Sequence, residues 1–599
     1  MRFIAFLIAA LFISPAASAS VQSDVTLWLQ LRDGKKAINF QSAHDFLKRR
    51  PGWPQADLIR SQAEHLFMDT SPSVGQILDW FDEAKPLTDR GRLAYWQALR
   101  ADGNMAQANL YLKEIWRTGY LDRNQQQIVM QISGKSLKPE DHRVRIDTLL
   151  WQGNLDRAAD ALRFASSNDR AAGQARIYLQ RFSSQAPGAV SSLSANQKTD
   201  NGVLFDRVRY ARQKSDDDFA VSLLGQRREE MGEHAPKWWR ERAILARRAL
   251  EQNDFARAYK IAAAHGTNSG LELAEAEWLS GWLATTRLNK PSQGFKHFEH
   301  MYNNVKTSLS SSRAAYWAGV ALDQMGQKDK GTEWYKLAAQ HMHTFYGQMA
   351  AYALGNPAQY YSAFFARNVS AGGSAAVAPD LAEAARILYR AGRDEERDLF
   401  LRAALNKLTT DKKPQALIAL AKEVRSPKMA LAAAKAAYEN GTMIQDALFP
   451  ETSPPRQANL ERSLTLGIIR QESMFDRYAV SPAGARGLMQ LMPATASHTA
   501  RKAGVAHRNN AQLFEPMHNM QLGQYYLAGL LDRYDGFIPL AAAAYNAGPG
   551  NVDKWLAQMG DPRQDPRSWV DWVERIPFYE TRNYVQRVWE AYSLYKAMN

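Results

Sequence analysis

LTLGIIRQESMFDRYAVSPAGARGLMQLMPATA, residues 464–496, is the stretch on which the reading of the chain turns. At about 100° per residue, Leu464, Ile468 and Ile469 form one apolar stripe of a helix, and Glu472 falls within it. Burying an unpaired carboxylate is costly and disfavours its charged form. Residues 474–483 read as non-helical, so Glu472 also sits near the end of its helix, where the negative pole of the helix dipole raises a carboxyl pKa further. A carboxyl kept protonated near neutral pH is a general acid. The burial pattern alone leaves a second reading open: a helix-end glutamate that faces solvent or pairs with Arg470 or Arg486.

The residues that follow shift that balance. Ser481-Pro482-Ala483-Gly484-Ala485-Arg486-Gly487 is rich in turn formers and poor in side-chain bulk, which lets a polymeric ligand approach the backbone closely. Leu488, Met489, Gln490, Leu491 and Met492 come next, then Pro493, expected as the first residue of a new helix. Two further blocks stand downstream: Ala544-Tyr545-Asn546-Ala547-Gly548-Pro549-Gly550-Asn551-Val552, and Val573-Glu574-x-Ile576-Pro577-Phe578-x-Glu580-Thr581-Arg582-x-Tyr584-Val585. Three ordered blocks of this kind resemble the signatures of soluble lytic murein transglycosylases, of the goose-lysozyme-like group.

The resemblance implies a lytic transglycosylase that cleaves the β-1,4 bond between N-acetylmuramic acid and N-acetylglucosamine in peptidoglycan. Glycoside cleavage usually takes two carboxyl groups, yet the first block offers one, Glu472. Asp476 reads better as a cap or loop residue. One carboxyl suffices where the substrate supplies the nucleophile, and the implied mechanism is of that kind. Glu472 protonates the bridging oxygen, the acetamido group stabilises C1, and Glu472 then takes the proton of the muramic C6 hydroxyl as a 1,6-anhydro ring closes. By position in the signatures, Ser481 and Gln490 are expected to bond sugar polar groups. Met492 would border the subsite floor, Met489 is also expected among the substrate-binding residues, Tyr545 would orient the acetamido group or the intermediate with Asn546 beside it, and Glu574 would bind saccharide or peptide. Ordinary alternatives stand beside these roles. They are a backbone-bonded Tyr545, a turn-forming Asn546, a Glu574 paired with Arg575 or Arg582, and core positions for Met489 and Met492.

The chain has 599 residues, a formal net charge of +14 and no cysteine. The absence of cysteine excludes disulfides, thiolate metal sites and a lipid-modified cysteine. Only about +2 of the charge lies beyond residue 450. A basic chain favours an anionic partner, and peptidoglycan with its peptide carboxylates is one. No compact Lys/Arg run or nucleic-acid motif supports nucleic acid as the partner. Residues 1–19 read as a cleavable signal peptide: Arg2, an apolar run from Phe3 to Ile13, and Ala17-Ser18-Ala19 before a cut at Ser20. Export to a periplasm follows from that reading, with no later stretch apolar for long enough to span a bilayer. No cofactor is expected, and no metal: His341-x-His343 lacks companion ligands, and no phosphate-binding or nucleophile-elbow motif is present.

The fold class expected is all-α: a helical superhelix or solenoid followed by a mostly helical, lysozyme-like catalytic domain of α+β type. Residues 20–366 read as helix after helix, broken by Asp102-Gly103-Asn104, Gln152-Gly153-Asn154, Gln252-Asn253-Asp254 and Met325-Gly326-Gln327. The scattered tryptophans, among them Trp96, Trp116, Trp278, Trp282 and Trp317, are expected to pack between helices rather than stack sugars on a concave face. Small, nearly uncharged residues 368–379 mark a boundary, a linker domain follows over 367–452 with its own break at Ala391-Gly392-Arg393, and the catalytic domain covers 453–599. Closure of the superhelix into a ring is implied by the resemblance alone. The rival functions are a hydrolytic muramidase on the same fold and a periplasmic scaffold with an inactive lysozyme-like domain. A mixed role, in which the solenoid also recruits cell-wall synthesis proteins, has no named partner in the sequence.

Overall fold

The computed structural model describes residues 15–34, 40–67, 72–82, 84–119, 121–226, 232–367, 377–407, 414–457, 460–564 and 568–598. Among these there is no β-strand, only two isolated bridges, Val480 with Arg486 and Arg486 with Leu491. The β component of the expected catalytic domain is confined to that loop. Most of the expected leader, residues 1–14, lies outside the described residues, as do residues 368–376 of the expected boundary. The chain forms two compact units, residues 1–246 and 247–599.

In both units the helices are joined by a repeated tight corner. Within the first unit, Asp89–Ala101 turns into Met105–Thr118, and Pro139–Trp151 into Leu155–Ala161. Within the second, Ser308–Gln324 turns into Lys328–Ala339, and Pro379–Arg390 into Asp394–Asn406. Each corner places one glycine in the left-handed region: Gly103, Gly153, Gly326 and Gly392, with φ of 84°, 79°, 73° and 67°. The next residue's N–H then reaches back to a carbonyl of the last helical turn: Asn104 to Leu99 at 2.9 Å, Asn154 to Leu149 at 2.8 Å, Gln327 to Leu322 and Arg393 to Leu388, both at 2.9 Å. This is the Schellman closure, which satisfies carbonyls that a helix end leaves open. The corner expected at Asn253 is built likewise, with Asn253 at φ 59° and Asp254 bonded to Ala249 O at 2.9 Å.

The tryptophans lie in the seams. Trp80, Trp96, Trp116 and Trp282 are at most 1% exposed. Among the described residues no helix is long and apolar enough to cross a membrane.

From residue 460 onward the helices are Arg462–Glu472, Pro493–Ala503, Pro516–Arg533, Ile538–Ala547, Pro549–Met559, Ser568–Arg575 and Tyr579–Met598. Pro493 opens its helix, as its missing N–H allows. The Arg462–Glu472 helix lies against the last helix, and Gly467 makes the approach possible: a Cβ there would sit 3.1 Å from the Tyr592 nitrogen. Leu464, Ile468 and Ile469 are at most 2% exposed.

Candidate active site

Glu472 is the final residue of its helix, so its side chain stands at the edge of the core that the apolar stripe builds. The chain leaves the helix through Met474 and Phe475, both with positive φ, 50° and 64°. Two successive left-handed side-chain-bearing residues are sterically costly and persist only where the surroundings hold them. Here Phe475 is buried, and the Ser473 hydroxyl donates to Ile469 O at 3.1 Å and Leu488 O at 2.8 Å. The turn thus ends the helix at the carboxyl and ties it to the glycine-rich loop.

The Glu472 carboxyl accepts a 2.6 Å hydrogen bond from the Tyr584 hydroxyl of the last helix. Burial pushes its pKa up to about 7; the Tyr584 bond opposes that rise, and the negative charge of Glu580 adds to it. Glu580 is an exposed carboxylate in the first turn of the same last helix. Tyr545 belongs to the cluster too: its own ionisation is suppressed by burial and then by the Glu472 charge. One carboxyl with a raised pKa, coupled to two phenols, is what this cluster offers chemically. Tyr584 and Glu580 both lie inside the third sequence block, but nothing in that block signals that the Tyr584 hydroxyl meets a residue 112 positions away.

The loop over 479–491 is a stiff frame beside this carboxyl. Gly487 N donates to Ala479 O at 3.0 Å, and Arg486 and Leu491 exchange backbone bonds of 3.0 and 3.1 Å. Asn519, fully buried, pins the frame: its Nδ2 donates to Arg486 O and Leu513 O, both at 2.9 Å, and its Oδ1 accepts from Met489 N at 2.8 Å. Gly487, at φ 78°, faces that pin, and a Cβ there would lie 2.1 Å from Leu513 O. Sequence reading missed Asn519; its place at the start of a helix gave no hint of a role in a loop about 30 residues earlier.

The residues expected to touch substrate find different surroundings. Tyr545 stands at the carboxyl, and its hydroxyl donates to Met489 O at 2.8 Å, the backbone bond that was the alternative reading. Met492 is 41% exposed at the start of the Pro493–Ala503 helix, on an accessible face. Ser481 and Gln490 are partly exposed but already bonded within the loop: the Ser481 hydroxyl accepts from Ala485 N at 3.0 Å, and Gln490 Nε2 donates to Ala479 O and Gly487 O, both at 2.9 Å. Asn546 Oδ1 accepts from the Thr581 hydroxyl at 2.6 Å, so it links two helices near the site.

Two expectations are corrected. The Met489 side chain is fully buried and packs on Gly523, so it is core; only its carbonyl serves the site, by holding Tyr545. Glu574 is also fully buried, with an ion pair to Arg313 at 2.6 Å and a short bond from the Tyr346 hydroxyl. Both carboxylate oxygens are spent, leaving none for a saccharide. Neither Arg575 nor Arg582 is its hydrogen-bonding partner; these donate to Met559 O and Ile576 O.

Asp476 is a loop residue, as expected, accepting from Tyr478 N at 3.0 Å. His341 and His343 stand with ring centres 6.1 Å apart, and burial pushes His343 down to about 3 beside Tyr438. Among the described residues no group of His, Asp or Glu side chains is arranged to hold a metal ion.

Known proteins resemble this chain in two ways. The family description "Transglycosylase SLT domain" matches residues 452–567. A putative soluble lytic murein transglycosylase of Haemophilus influenzae is 43% identical over 138 residues, 23% of this chain and 22% of that protein. The soluble lytic murein transglycosylase of Salmonella typhimurium is 42% identical over 141 residues, 23% of this chain and 21% of that protein. The sequence match thus spans about a fifth of the length of these relatives. The likeness of fold runs much further. The lytic transglycosylase Slt of Pseudomonas aeruginosa, solved as an inactive mutant, superposes with a TM-score of 0.69 at 22% identity, covering 97% of this chain and 93% of that one. A 70 kDa soluble lytic transglycosylase, solved in complex with bulgecin A, does so with a TM-score of 0.70 at 20% identity, covering 98% and 92%. At these identities the likeness shows the fold alone: an all-helical chain, among the described residues, folded like these solved transglycosylases.

Proposed function

We propose that this chain is a lytic transglycosylase of the bacterial cell wall, cleaving the β-1,4 bond between N-acetylmuramic acid and N-acetylglucosamine without consuming water. The observation that carries the reading is the state of Glu472. A carboxyl with a pKa of about 7 is protonated in a useful fraction of molecules near neutrality, and once it has given its proton it is a competent base. The match of residues 452–567 to a transglycosylase domain supports the substrate class.

The reaction uses one carboxyl twice. Glu472 gives its proton to the bridging oxygen as the C1–O bond breaks, and the departing N-acetylglucosamine end leaves as an alcohol. The muramic acetamido oxygen covers C1 from the other face. Glu472, now charged, takes the C6 hydroxyl proton as that oxygen bonds to C1, which closes the 1,6-anhydro ring and returns the carboxyl to its acid form. Tyr584 orients the carboxyl through its 2.6 Å bond, and Tyr545, bonded to the Met489 carbonyl and electrostatically coupled to Glu472, is the candidate to meet the acetamido group. Met492 and the backbone of the glycine-rich loop line the approach, with Ser481, Gln490 and Asn546 as its frame.

The division into a leader over 1–19, a helical array over 20–366, a linker over 367–452 and a catalytic domain over 453–599 belongs to this proposal. So does location in the periplasm, where peptidoglycan glycan strands are found. The test is digestion of purified sacculi by the full chain and by Glu472→Gln. Release of soluble muropeptides by the wild type and its loss in the variant supports the reading. Equal release by both would remove Glu472 from the chemistry, and no release by either would favour a scaffold.

A further inference from the structure

A cavity of about 780 Å³ opens in the second unit, away from Glu472. Its walls come from helices Ser308–Gln324, Phe345–Ala353, Ser568–Arg575 and Tyr579–Met598, with further residues at the end of Gly270–Thr286. Trp589 lines it from the last helix, five positions beyond Tyr584. Five positions turn a helix by about 140°, so the cavity and the Glu472 carboxyl lie on different faces of that helix. Small-molecule sites run from roughly 300 to 1,000 Å³, and this one holds one or two pyranose rings.

The walls are aromatic: Tyr352 is 48% exposed, Tyr316 and Trp589 are partly exposed, and the largely buried Trp317 and Trp569 back the wall. Such rings give flat apolar faces that match the C–H faces of a pyranose, and the tyrosines add hydroxyls. The polar groups are held in fixed places. Asp571 is ion-paired with Arg287 and accepts from Trp282 Nε1 at 2.9 Å, yet the two charged side chains keep 25% and 16% of their surface exposed. Asp323 accepts from the Tyr335 hydroxyl at 2.9 Å. One guanidinium against two carboxylates, with the guanidinium already neutralised by Asp571, leaves no surplus positive charge for an anionic ligand. A neutral, hydroxyl-rich ligand with apolar ring faces fits this wall; a phosphate or a multiply charged acidic peptide does not.

We infer that this cavity is a second saccharide site, separate from the catalytic cleft, which takes one or two neutral N-acetylated amino-sugar rings between its aromatic walls and the Arg287–Asp571 pair. The choice of sugar rests on the proposed function; the choice of a neutral ring-shaped polyol rests on the cavity itself. Such a site grips glycan at a distance from the bond being cut and raises the residence time of the enzyme on its polymer.

The absence of cysteine from the chain gives a clean probe. Gln324, an exposed residue at the cavity wall, is replaced by cysteine and labelled with an environment-sensitive dye in the full chain carrying Glu472→Gln. The labelled protein is titrated with N,N′-diacetylchitobiose. The expected result is a saturable change that weakens at least tenfold when the cavity is filled by Val320→Phe or, from another wall, by Ala353→Leu. Melting temperatures identify a filling variant that has lost its fold, and the other then decides. Absence of a saturable change would overturn the inference. So would a change untouched by either filling variant, or one produced by an unglycosylated stem peptide and not by the sugar. Release of muropeptides from sacculi by the wild type is measured separately, so failure of the cavity and failure of the proposed chemistry give different results.

Discussion

Glu472 is asked to hold a proton near neutrality and still to be a base one step later, and its surroundings set that compromise. Burial raises its pKa to about 7 while the Tyr584 hydroxyl, by bonding the charged form, pulls it down. Tyr584→Phe should therefore move the alkaline limb of the pH–rate profile upward while leaving the melting temperature within a few degrees; a profile unchanged in shape would make Tyr584 a packing residue only. A carboxyl whose pKa is raised by folding favours the native state fully below its ordinary value near 4.5 and loses that contribution as pH rises to about 7. Glu472→Gln has no such loss. Relative to wild type it should gain stability from pH 4.5 to 7, by about 3.5 kcal/mol at most, at roughly 1.4 kcal/mol per pKa unit. Denaturant melts at pH 4.5 and 8 check this; a constant difference between the two proteins would contradict it. Turnover of the same variant should fall by about 10²–10⁴-fold or more, since one group serves as both acid and base. The carboxyl itself was legible in the sequence, because the blocks that follow it decided between the two readings that the Leu464, Ile468, Ile469 stripe left open. The fates of Met489 and Glu574 were not: the spacing of a motif says nothing of whether a side chain points to the cleft or to the core.

Among elements, the helical corners were readable and the glycine-rich loop was only half so. Gly103, Gly153, Gly326 and Gly392 each stop a helix in sequence, and each stands at positive φ in the fold. The loop over 479–491 was recognised as turn-rich, but its pin, Asn519, lies on another helix. Three backbone groups depend on that one amide. Asn519→Ala leaves them buried without partners, at a cost of about 1–3 kcal/mol for each group that finds no water. The variant should melt lower and lose turnover more than its stability loss explains, because the loop also positions Tyr545 through the Met489 carbonyl. Gly487→Ala should act in the same direction, since its Cβ meets the Leu513 carbonyl at 2.1 Å. Normal melting and normal kcat in both variants would show that the frame is not needed.

On the scale of the molecule, ionic links tie residues far apart in sequence. Arg313 pairs with the fully buried Glu574 across 261 positions of chain. Arg313→Ala strands a buried carboxylate, and breaking such a pair costs about 3–5 kcal/mol. A marked fall in melting temperature is expected, smaller when Glu574→Gln is added; an additive pair of losses would contradict the coupling. Such long-range pairing is invisible to periodicity, which sees faces and not partners. The net charge of +14, almost all of it before residue 450, is a whole-chain property that sequence does give. Binding of Glu472→Gln to sacculi should weaken as salt rises from about 0.05 to 0.5 M, because the Debye length shrinks several-fold. Salt-independent binding would assign retention to the sugar contacts alone. The central claim, that one carboxyl cuts the glycan without water, is tested most directly by weighing the products of digested peptidoglycan. The account predicts muropeptides one water lighter than hydrolytic products, with no reducible muramic end. Full-mass products with reducible ends would contradict it and require an activated water at the Glu472 site.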